Sequence, residues 1–562
     1  MSSAPPATAG LIDARLAERF RAQGWWRDRT YLDDFDDAVA ARPDKVAIVT
    51  HRHDGEGVAE VVSYGQLGRF VDRFAAALVG LGVAPGQVVS VQLPNEWIFA
   101  AVTLACARIG AVINPLVPIF RERELTFILG RTESPVVIVA NQFRGYDHAA
   151  MLDRVLVNLP EGTRGFAVGA TQPTGRVEAF AAHFIDRRWE EEIDADRLRA
   201  NSVGPDEVAE LQFTSGTTGE PKGVMHTPNT LHAGGLAFSD TLRLGVEDSI
   251  IMPSTLAHQT GFLLGVVLPL ATGMKVVYQD LWDVEVFCKL VEDEQITFSA
   301  GATPFLADIV GSCEARGRRL ASMRSYACAG APIPSPLVQR AVTAMTDTLV
   351  ALWGMTENGA VTLTRIGDPP ELVADSDGTP VAWMQVRIVD GEGNEVAVDE
   401  IGRLLVRGAS QAIGYFKRSD LYGQQLSAAT DDGGDWFDTG DLARRRADGG
   451  IRISGRTKDL VIRGGENVPV VEVEAVLFGH PSVREVAVIG VADERLGERA
   501  CAVVVAEDRD PDQPLTLGEL TAWLDQAGMA KQFWPERLEV VDALPRTPSG
   551  KVQKFQLREQ FR

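Results

Sequence analysis

Short β-rich runs alternate with helix-like stretches along most of this 562-residue chain, and this alternation limits its fold more than any other feature. The early runs are VAIVT, VVSVQL and PVVIVA, with helical patterns at 64–81 and 97–109. The later runs are SIIMP, KVVY, ITFSAG, SYACAG and TLVALWG, with helical patterns at 283–294, 303–316 and 335–345. Strands that alternate with helices form βα units around a largely parallel sheet. The sequence therefore predicts a large α/β body containing two αβα sheet regions.

The pattern changes toward the C-terminus. Residues 381–452 are rich in β-forming and turn-forming residues, which predicts a small β-barrel-like region or a distorted sheet. Residues 141–205 are weakly patterned, with Pro and Gly breaks and an acidic, loop-like end. The final segment mixes βα elements with charge and indicates a small, separate α+β domain, whose mobility is implied only by the family resemblance given below. We therefore expect an N-terminal domain over 1–457 and a C-terminal domain over 458–562.

The stretch LQFTSGTTGEPKG at 211–223 begins in a predicted buried strand at 207–213, continues as a polar loop and precedes a helical pattern near residue 229. Its glycines let backbone N–H groups approach an anion, its hydroxyls donate hydrogen bonds, and Lys222 adds a point charge. A P-loop has its lysine directly after the last glycine, whereas Lys222 follows Pro221. The loop therefore suits a polyphosphate without being a P-loop, and a solvated connector is the alternative interpretation.

Further motifs follow this loop along the chain. They are SYACAGAP at 325–332, LWGMTENG at 352–359, WFDTGDL at 436–442, GRTKD at 455–459, RGGENV at 463–468 and PRTPSGK at 545–551. In order and spacing they resemble the acyl-activating, AMP-forming enzymes, a superfamily that includes acyl-CoA synthetases, peptide-synthetase adenylation domains and firefly luciferase. The resemblance covers nearly the whole chain.

The resemblance implies an ATP site and names its residues. They are Thr214, Ser215, Gly216, Thr217, Thr218, Gly219, Lys222, Gly330, Ala331, Pro332, Trp353, Gly354, Asp441 and Arg456. Trp353, where the family usually has Tyr, is expected against adenine, and Asp441 and Arg456 are expected on the ribose. Thr356 is implied near the phosphate and Glu357 on Mg²⁺, a hard cation that prefers carboxylate and phosphate oxygens.

Other implied roles concern the acid and the thiol. Lys551 is implied to be the catalytic lysine that meets the α-phosphate and the substrate carboxylate, and Lys458 the hinge between two domain arrangements. The paired glycines Gly464 and Gly465 match the loop along which the family threads the pantetheine arm of CoA.

The acyl site is expected to consist of His258, Phe262 and Met355. His258 is also expected to be a catalytic residue. There is no acidic residue between Pro253 and Asp280, which favours an uncharged, apolar acyl group. The string NPLVPIFREREL at 114–125 additionally resembles medium-chain and alicyclic-acid CoA ligases, such as those for cyclohexanecarboxylate.

These expectations combine into an ATP-dependent carboxylic acid:CoA ligase with Mg²⁺ as cofactor and ATP and CoA as co-substrates. A standalone adenylating enzyme that loads an acyl carrier protein is the main alternative. A luciferase-like oxygenase uses the same motifs, whereas a catalytically inactive relative would not need them.

The chain also departs from many relatives, which read Thr-His where it has Thr227-Pro228, so no role is transferred to a histidine there.

Composition narrows the partners and the compartment. The net charge of −22 disfavours unspecific attraction to nucleic acid or anionic lipid. Five scattered cysteines without a C-x-x-C pair argue against a disulfide framework and fit a reducing cytoplasm. No secretory signal is visible, and the apolar run 261–274 is shorter than the about 20 residues that span a bilayer. A homodimer and a lysine acetyltransferase acting on Lys551 are further partners to test.

Overall fold

A computed structural model describes residues 13–561 except 54–58, 215–220, 331–332, 428–433, 457–458, 460, 464–465, 494, 508–513 and 547–550. The strands up to residue 363 are β1 (Val46–His51), β2 (Glu60–Ser63), β3 (Val88–Gln92), β4 (Val112–Pro115), β5 (Val136–Ala140), β6 (Gln142–Phe143), β7 (Tyr146–Asp147), β8 (Arg164–Val168), β9 (Val177–Ala179), β10 (Glu210–Thr214), β11 (Lys222–His226), β12 (Ser249–Met252), β13 (Lys275–Gln279), β14 (Phe298–Ala302), β15 (Ser325–Ala329), β16 (Thr348–Met355) and β17 (Gly359–Leu363). The later strands are β18 (Thr379–Pro380), β19 (Met384–Val389), β20 (Ile401–Gly408), β21 (Gly414–Tyr415), β22 (Leu426–Ser427), β23 (Trp436–Arg445), β24 (Ile451–Arg456), β25 (Val461–Arg463), β26 (Glu466–Val468), β27 (Val483–Asp493), β28 (Gly497–Ala506) and β29 (Arg537–Val540).

The α-helices are α1 (Ala14–Ala22), α2 (Tyr31–Ala41), α3 (Tyr64–Gly80), α4 (Trp97–Arg108), α5 (Glu122–Thr132), α6 (His148–Leu156), α7 (Ala195–Arg199), α8 (Pro228–Leu242), α9 (Gln259–Phe262), α10 (Leu268–Thr272), α11 (Val284–Asp293), α12 (Thr303–Arg316), α13 (Ser335–Ala344), α14 (Pro370–Asp375), α15 (Ser419–Gly423), α16 (Val470–Phe478), α17 (Leu517–Gln526) and α18 (Lys554–Gln560). Single π-helical turns cover Ala181–Ile185 and Leu263–Val267. Short 3₁₀ turns cover Trp189–Glu191 and Lys531–Phe533.

Two large sheets form the N-terminal body. Within the described residues one has the strand order β18-β17-β16-β15-β14-β12-β13-β1-β2 and the other β21-β11-β10-β4-β3-β5-β8-β9. Their centres are parallel, and strands such as β3 and β5 are buried along their whole length because helices cover both faces. The main hydrophobic core draws residues from both sheets. The predicted α/β class with two αβα regions is therefore confirmed.

The body continues into the small β-barrel-like region, an antiparallel sheet ordered β19-β20-β23-β22 with β24 paired to β23. Near the C-terminus, β25 to β29 form a separate sheet against α16 and α17, which gives the expected smaller α+β unit. The predicted boundary at 457/458 falls between β24 and β25, and it stays a prediction.

Sequence patterns locate most elements of the body and miss a few. The predicted helices at 64–81, 97–109 and 303–316 are present as α3, α4 and α12. Residues 141–205, which are weakly patterned in the sequence, contain α6 and β8. β8 is held by parallel pairing with β5, a long-range contact that local patterning does not reveal.

The region around the polar loop also differs from expectation. The buried strand is β10, which begins three residues later and ends one residue later than predicted. β11 lies between it and the helix that was expected near residue 229. β11 starts with Lys and Gly and is only five residues long, so its own composition gives a weak β signal. It is held by antiparallel pairing with β10, in which Thr214 faces Lys222.

The apolar run 261–274 is buried in the body, where it spans α9, a π-helical turn and α10. In the part of the chain that the structure describes, no helix is long and apolar enough to cross a membrane.

Candidate active site

Lys551, from the C-terminal unit, lies among the motif residues of the N-terminal body. Its ammonium interacts with the charges of Arg456, Asp441 and Glu357. Burial is the largest influence on its pKa and, with Arg456, lowers it from the ordinary lysine value, while the two carboxylates oppose that change. The fold therefore brings together residues predicted from separate motifs.

Gly330 lies where the Lys551 side chain passes. It follows β15 at the carboxyl edge of parallel strands, and its backbone has a φ of +90°. A Cβ atom at this position would lie 3.2 Å from Lys551 Cε. A glycine is therefore favoured here both by backbone conformation and by the room that the lysine needs.

The predicted ribose ligands are adjacent through strand pairing. Asp441 on β23 faces Arg456 on β24, and Arg456 Nε lies 3.0 Å from Asp441 Oδ1. Trp353 on β16 is buried, and its indole Nε1–H donates to Asp441 Oδ2 at 3.0 Å. The Trp that replaces the usual Tyr thus fixes the carboxylate that was predicted to bind ribose, while its own place against adenine stays a prediction.

Thr356 and Glu357 lie in the tight connection between β16 and β17. A Cβ on the preceding Gly354 would come within 2.1 Å of the Gly359 carbonyl oxygen, so only glycine fits this backbone crossing. His226 Nε2 donates to the Thr356 carbonyl oxygen at 2.7 Å. Burial lowers the pKa of His226 to about 4, so the imidazole is neutral at physiological pH.

The Glu357 side chain is buried and receives a hydrogen bond from a tyrosine that sequence reasoning missed. Tyr415 OH donates to Glu357 Oε1 at 2.8 Å, and Lys222 Nζ lies 5.0 Å from the centre of the Tyr415 ring. Tyr415 belongs to β21, which pairs with β11 next to Lys222. In the sequence, Tyr415 carries no signal because 58 positions separate it from Glu357.

On the acyl side, His258 precedes α9 and lies close to Lys551. Burial, and secondarily the Lys551 charge, lower the pKa of His258 to about 4, so the ring is neutral at physiological pH. Phe262 is fully buried one helical turn later, and its N–H donates to the His258 carbonyl oxygen at 2.7 Å. Met355 is partly buried against the main core.

No acidic residue lies between Pro253 and Asp280, but a carboxyl group from another strand packs against this segment. Glu210 on β10 is fully buried, and burial raises its pKa to about 8. With its amide oriented to satisfy the neighbouring acceptors, Gln259 donates to Glu210 Oε2 at 3.2 Å and to Gln212 Oε1 at 2.9 Å. Gln212 in turn donates to the Ala257 carbonyl oxygen at 2.9 Å. At neutral pH Glu210 is protonated, so it adds polarity beside the acyl segment without adding charge.

Several predicted residues lie outside the described ones. They are Ser215, Gly216, Thr217, Thr218 and Gly219 of the polar loop, Ala331 and Pro332, the hinge residue Lys458, and the paired glycines Gly464 and Gly465. Thr214 and Lys222, which flank the polar loop, are paired across the β10–β11 hairpin.

Metal-ligating side chains are sparse among the described residues. These residues contain no group of three or more His, Cys, Asp or Glu side chains able to hold a metal. Glu357 offers a buried carboxylate whose charge acts on Lys551, and its hydrogen-bond partner Tyr415 faces Lys222. Mg²⁺ is commonly bound by one or two carboxylates together with substrate phosphates.

Gly330 and Glu357, which follow strands of one large sheet, lie with Asp441 and Arg456 close to Lys551 near the end of the chain. This fold and this set of residues are those of the adenylate-forming acid ligases. The chain belongs to the AMP-binding enzyme family, which matches residues 35–416, and the AMP-binding enzyme C-terminal domain matches residues 472–551.

Two relatives of the chain are both acid ligases, and they differ in the thiol that accepts the acyl group. The chain is 33% identical over 540 residues to the medium-chain fatty-acid–CoA ligase of Escherichia coli K12, covering 96% of this chain and 92% of that protein. It is 31% identical over 545 residues to the salicyl-AMP ligase / salicyl-S-ArCP synthetase of Mycobacterium tuberculosis, with coverage of 96% and 92%. The ATP-bound structure of MatB from Rhodopseudomonas palustris superimposes with a TM-score of 0.75 at 27% identity, covering 94% of this chain and 99% of that one.

Proposed function

We propose that this adenylate-forming ligase converts medium-chain or alicyclic carboxylic acids to acyl-CoA thioesters. In the first half-reaction the substrate carboxylate attacks the α-phosphorus of ATP, an O–P bond forms, and pyrophosphate leaves. In the second, the CoA sulfur attacks the acyl carbon, a C–S bond forms, and AMP leaves with the C–O bond pair while the thiol proton is released. The observation that carries the proposal is the position of Lys551 beside Gly330, Asp441 and Arg456.

Each group has a place in the first half-reaction. Lys551 stabilises the negative charge that spreads over the α-phosphate oxygens, and Lys222 does the same on the side of the leaving pyrophosphate. Asp441, fixed by Trp353 and Arg456, accepts hydrogen bonds from the ribose hydroxyls. Mg²⁺, when bound with ATP, would be held by Glu357 and would offset charge on the phosphates.

The second half-reaction requires a different arrangement of the C-terminal unit. The thiol of the second half-reaction needs access to the acyl carbon, and Lys551 fills the space beside it. We therefore propose that rotation about Lys458 removes the lysine after adenylation. The same rotation would present Gly464 and Gly465 to the pantetheine arm.

Acetylation of Lys551 would remove the charge that adenylation needs and is proposed as a regulatory modification. A homodimer is proposed as well.

An apolar acid is favoured by the surroundings of His258. Phe262 and Met355 are apolar, and both His258 and Glu210 are neutral at physiological pH. A second charge on the substrate would be buried without a partner, which costs several kcal/mol, whereas each buried methylene gains about 0.8 kcal/mol. The similarity to the Escherichia coli medium-chain ligase supports the same substrate class.

A second candidate is adenylation followed by loading of a carrier protein. It is favoured by the similarity to the Mycobacterium tuberculosis enzyme, which is a salicyl-S-ArCP synthetase as well as a salicyl-AMP ligase. The two candidates share the first half-reaction and differ only in the thiol that accepts the acyl group.

The test is pyrophosphate release over linear acids of increasing length, ring-bearing acids, salicylate, amino acids and dicarboxylates. We expect kcat/KM to rise about fourfold per added methylene until the pocket is full. His258→Ala should change the preference among acids more than it changes the affinity for ATP. Preference for a zwitterionic amino acid would contradict the proposal. Thioester formation with a phosphopantetheinyl carrier protein, but not with free CoA, would favour the second candidate.

A further inference from the structure

The Tyr415 side chain links two parts of the site that the motifs leave separate. Its hydroxyl donates to Glu357 Oε1 at 2.8 Å, and its ring faces Lys222 Nζ at 5.0 Å from the ring centre. Glu357 follows β16 of one large sheet, whereas Lys222 begins β11 of the other. One aromatic side chain thus contacts both the carboxylate proposed to hold Mg²⁺ and the lysine of the polar loop.

Backbone contacts fix Tyr415 in this position. Val224 of β11 is the strand partner of Tyr415, and the Phe416 N–H donates to the Gly223 carbonyl oxygen at 2.8 Å. The Ala412 N–H donates to the Glu357 carbonyl oxygen at 2.7 Å, so the segment that carries the tyrosine also binds the backbone of Glu357. Tyr415 therefore has little freedom to leave the carboxylate.

The hydroxyl of Tyr415 makes a hydrogen bond that the packing of its ring does not require. Tyr415 and Glu357 are both buried, and a phenol that donates to a buried carboxylate forms a charge-assisted hydrogen bond and fixes the orientation of that carboxylate. The neighbouring Tyr422 packs edge-on against Tyr415 with ring centres 5.2 Å apart, but its hydroxyl donates to the Ala412 carbonyl oxygen. The two tyrosines share one environment and differ in what their hydroxyls bind.

We propose that Tyr415 is a positioning residue for adenylation, which holds the Glu357 carboxylate toward Mg·ATP and aligns Lys222 with the phosphates. The proposal rests on the proposed function for the role of Glu357 and Lys222. Groups that orient a metal-binding side chain commonly change metal affinity by about 10-fold to 100-fold when they are removed.

Tyr415→Phe tests the proposal, because it keeps the ring that faces Lys222 and removes only the hydroxyl. We expect the Mg²⁺ concentration for half-maximal pyrophosphate release to rise about tenfold. In calorimetric titrations, ATP affinity should fall with Mg²⁺ present and stay unchanged in EDTA. Thioester formation from supplied acyl-adenylate should also be unchanged, since pyrophosphate and its metal have left by then.

Tyr422→Phe is the matched control and should leave the Mg²⁺ dependence as in the wild type. In a Glu357→Gln background, adding Tyr415→Phe should have little further effect, because the hydrogen bond has lost its charged acceptor. Unchanged Mg²⁺ dependence in Tyr415→Phe, or an equal change in Tyr422→Phe, would overturn the proposal. Equal loss of ATP affinity with and without Mg²⁺ would also overturn it. Because ATP binding needs no acid, these titrations remain decisive even if no acid in the panel is turned over.

Discussion

Burial raises the pKa of Glu210 and so favours the protonated form of its carboxyl group. This residue lies fully buried on β10 beside Gln259, and among the described residues no cation forms an ion pair with it. Its folded pKa of about 8 exceeds the ordinary value of 4.5, so the folded protein holds a proton that the unfolded chain releases above that value. The free energy of unfolding should therefore fall as pH rises from about 4.5 to about 8, with no further change from this group at higher pH.

Glu210→Gln removes this titration while keeping the size of the side chain. We expect the Tm of the variant, relative to wild type, to increase from pH 5 to pH 8.5, by several degrees. Scanning calorimetry across this range measures the effect, and Glu18→Gln, which changes an exposed carboxylate, is the control. A Tm difference that stays constant with pH would show that Glu210 is ionised in the folded protein.

The carboxyl end of β15 serves the site through Gly330, the residue that follows this strand. Gly330 combines a positive φ with the close approach of Lys551, and both favour glycine. Gly317, at the end of α12, also has a positive φ, but a Cβ atom added there would meet no atom of the described residues within 4 Å. Substituting alanine for Gly317 would strain the backbone only, whereas substituting it for Gly330 would also crowd Lys551.

Gly330→Ala and Gly317→Ala should each destabilise the protein by about 1 kcal/mol through the backbone. Only Gly330→Ala should slow adenylation, by about tenfold, because Lys551 is displaced from the position where it stabilises charge. Single-turnover pyrophosphate release and thermal unfolding measure the two effects. Normal adenylation in Gly330→Ala would mean that Lys551 does not pass this loop during the reaction.

At the scale of the whole molecule, the order of motifs predicted the family and the α/β fold with a smaller C-terminal unit. The motifs also named Gly330, Trp353, Asp441, Arg456 and Lys551, which the fold brings together. These residues were accessible to prediction because each sits in a local string with its own pattern.

Contacts between distant segments could not be predicted in the same way. His226 reaches Thr356 across 130 positions, and Tyr415 reaches Glu357 across 58. Glu210 belongs to a strand whose partners decide which face is buried, so nothing in its local string shows that it lies against Gln259. Tertiary packing of the two sheets creates these contacts.

We propose that Lys551 serves adenylation and leaves the site before the thiol attacks. Lys551→Ala should reduce adenylate formation by about 10²–10³, the usual effect of losing one charge-stabilising donor, while thioester formation from supplied acyl-adenylate remains close to wild type. Rapid-quench measurement of the two half-reactions on one preparation of the variant is the most direct test. We expect a selective loss of the first half-reaction, whereas an equal loss of both would show that Lys551 does not leave the site between them.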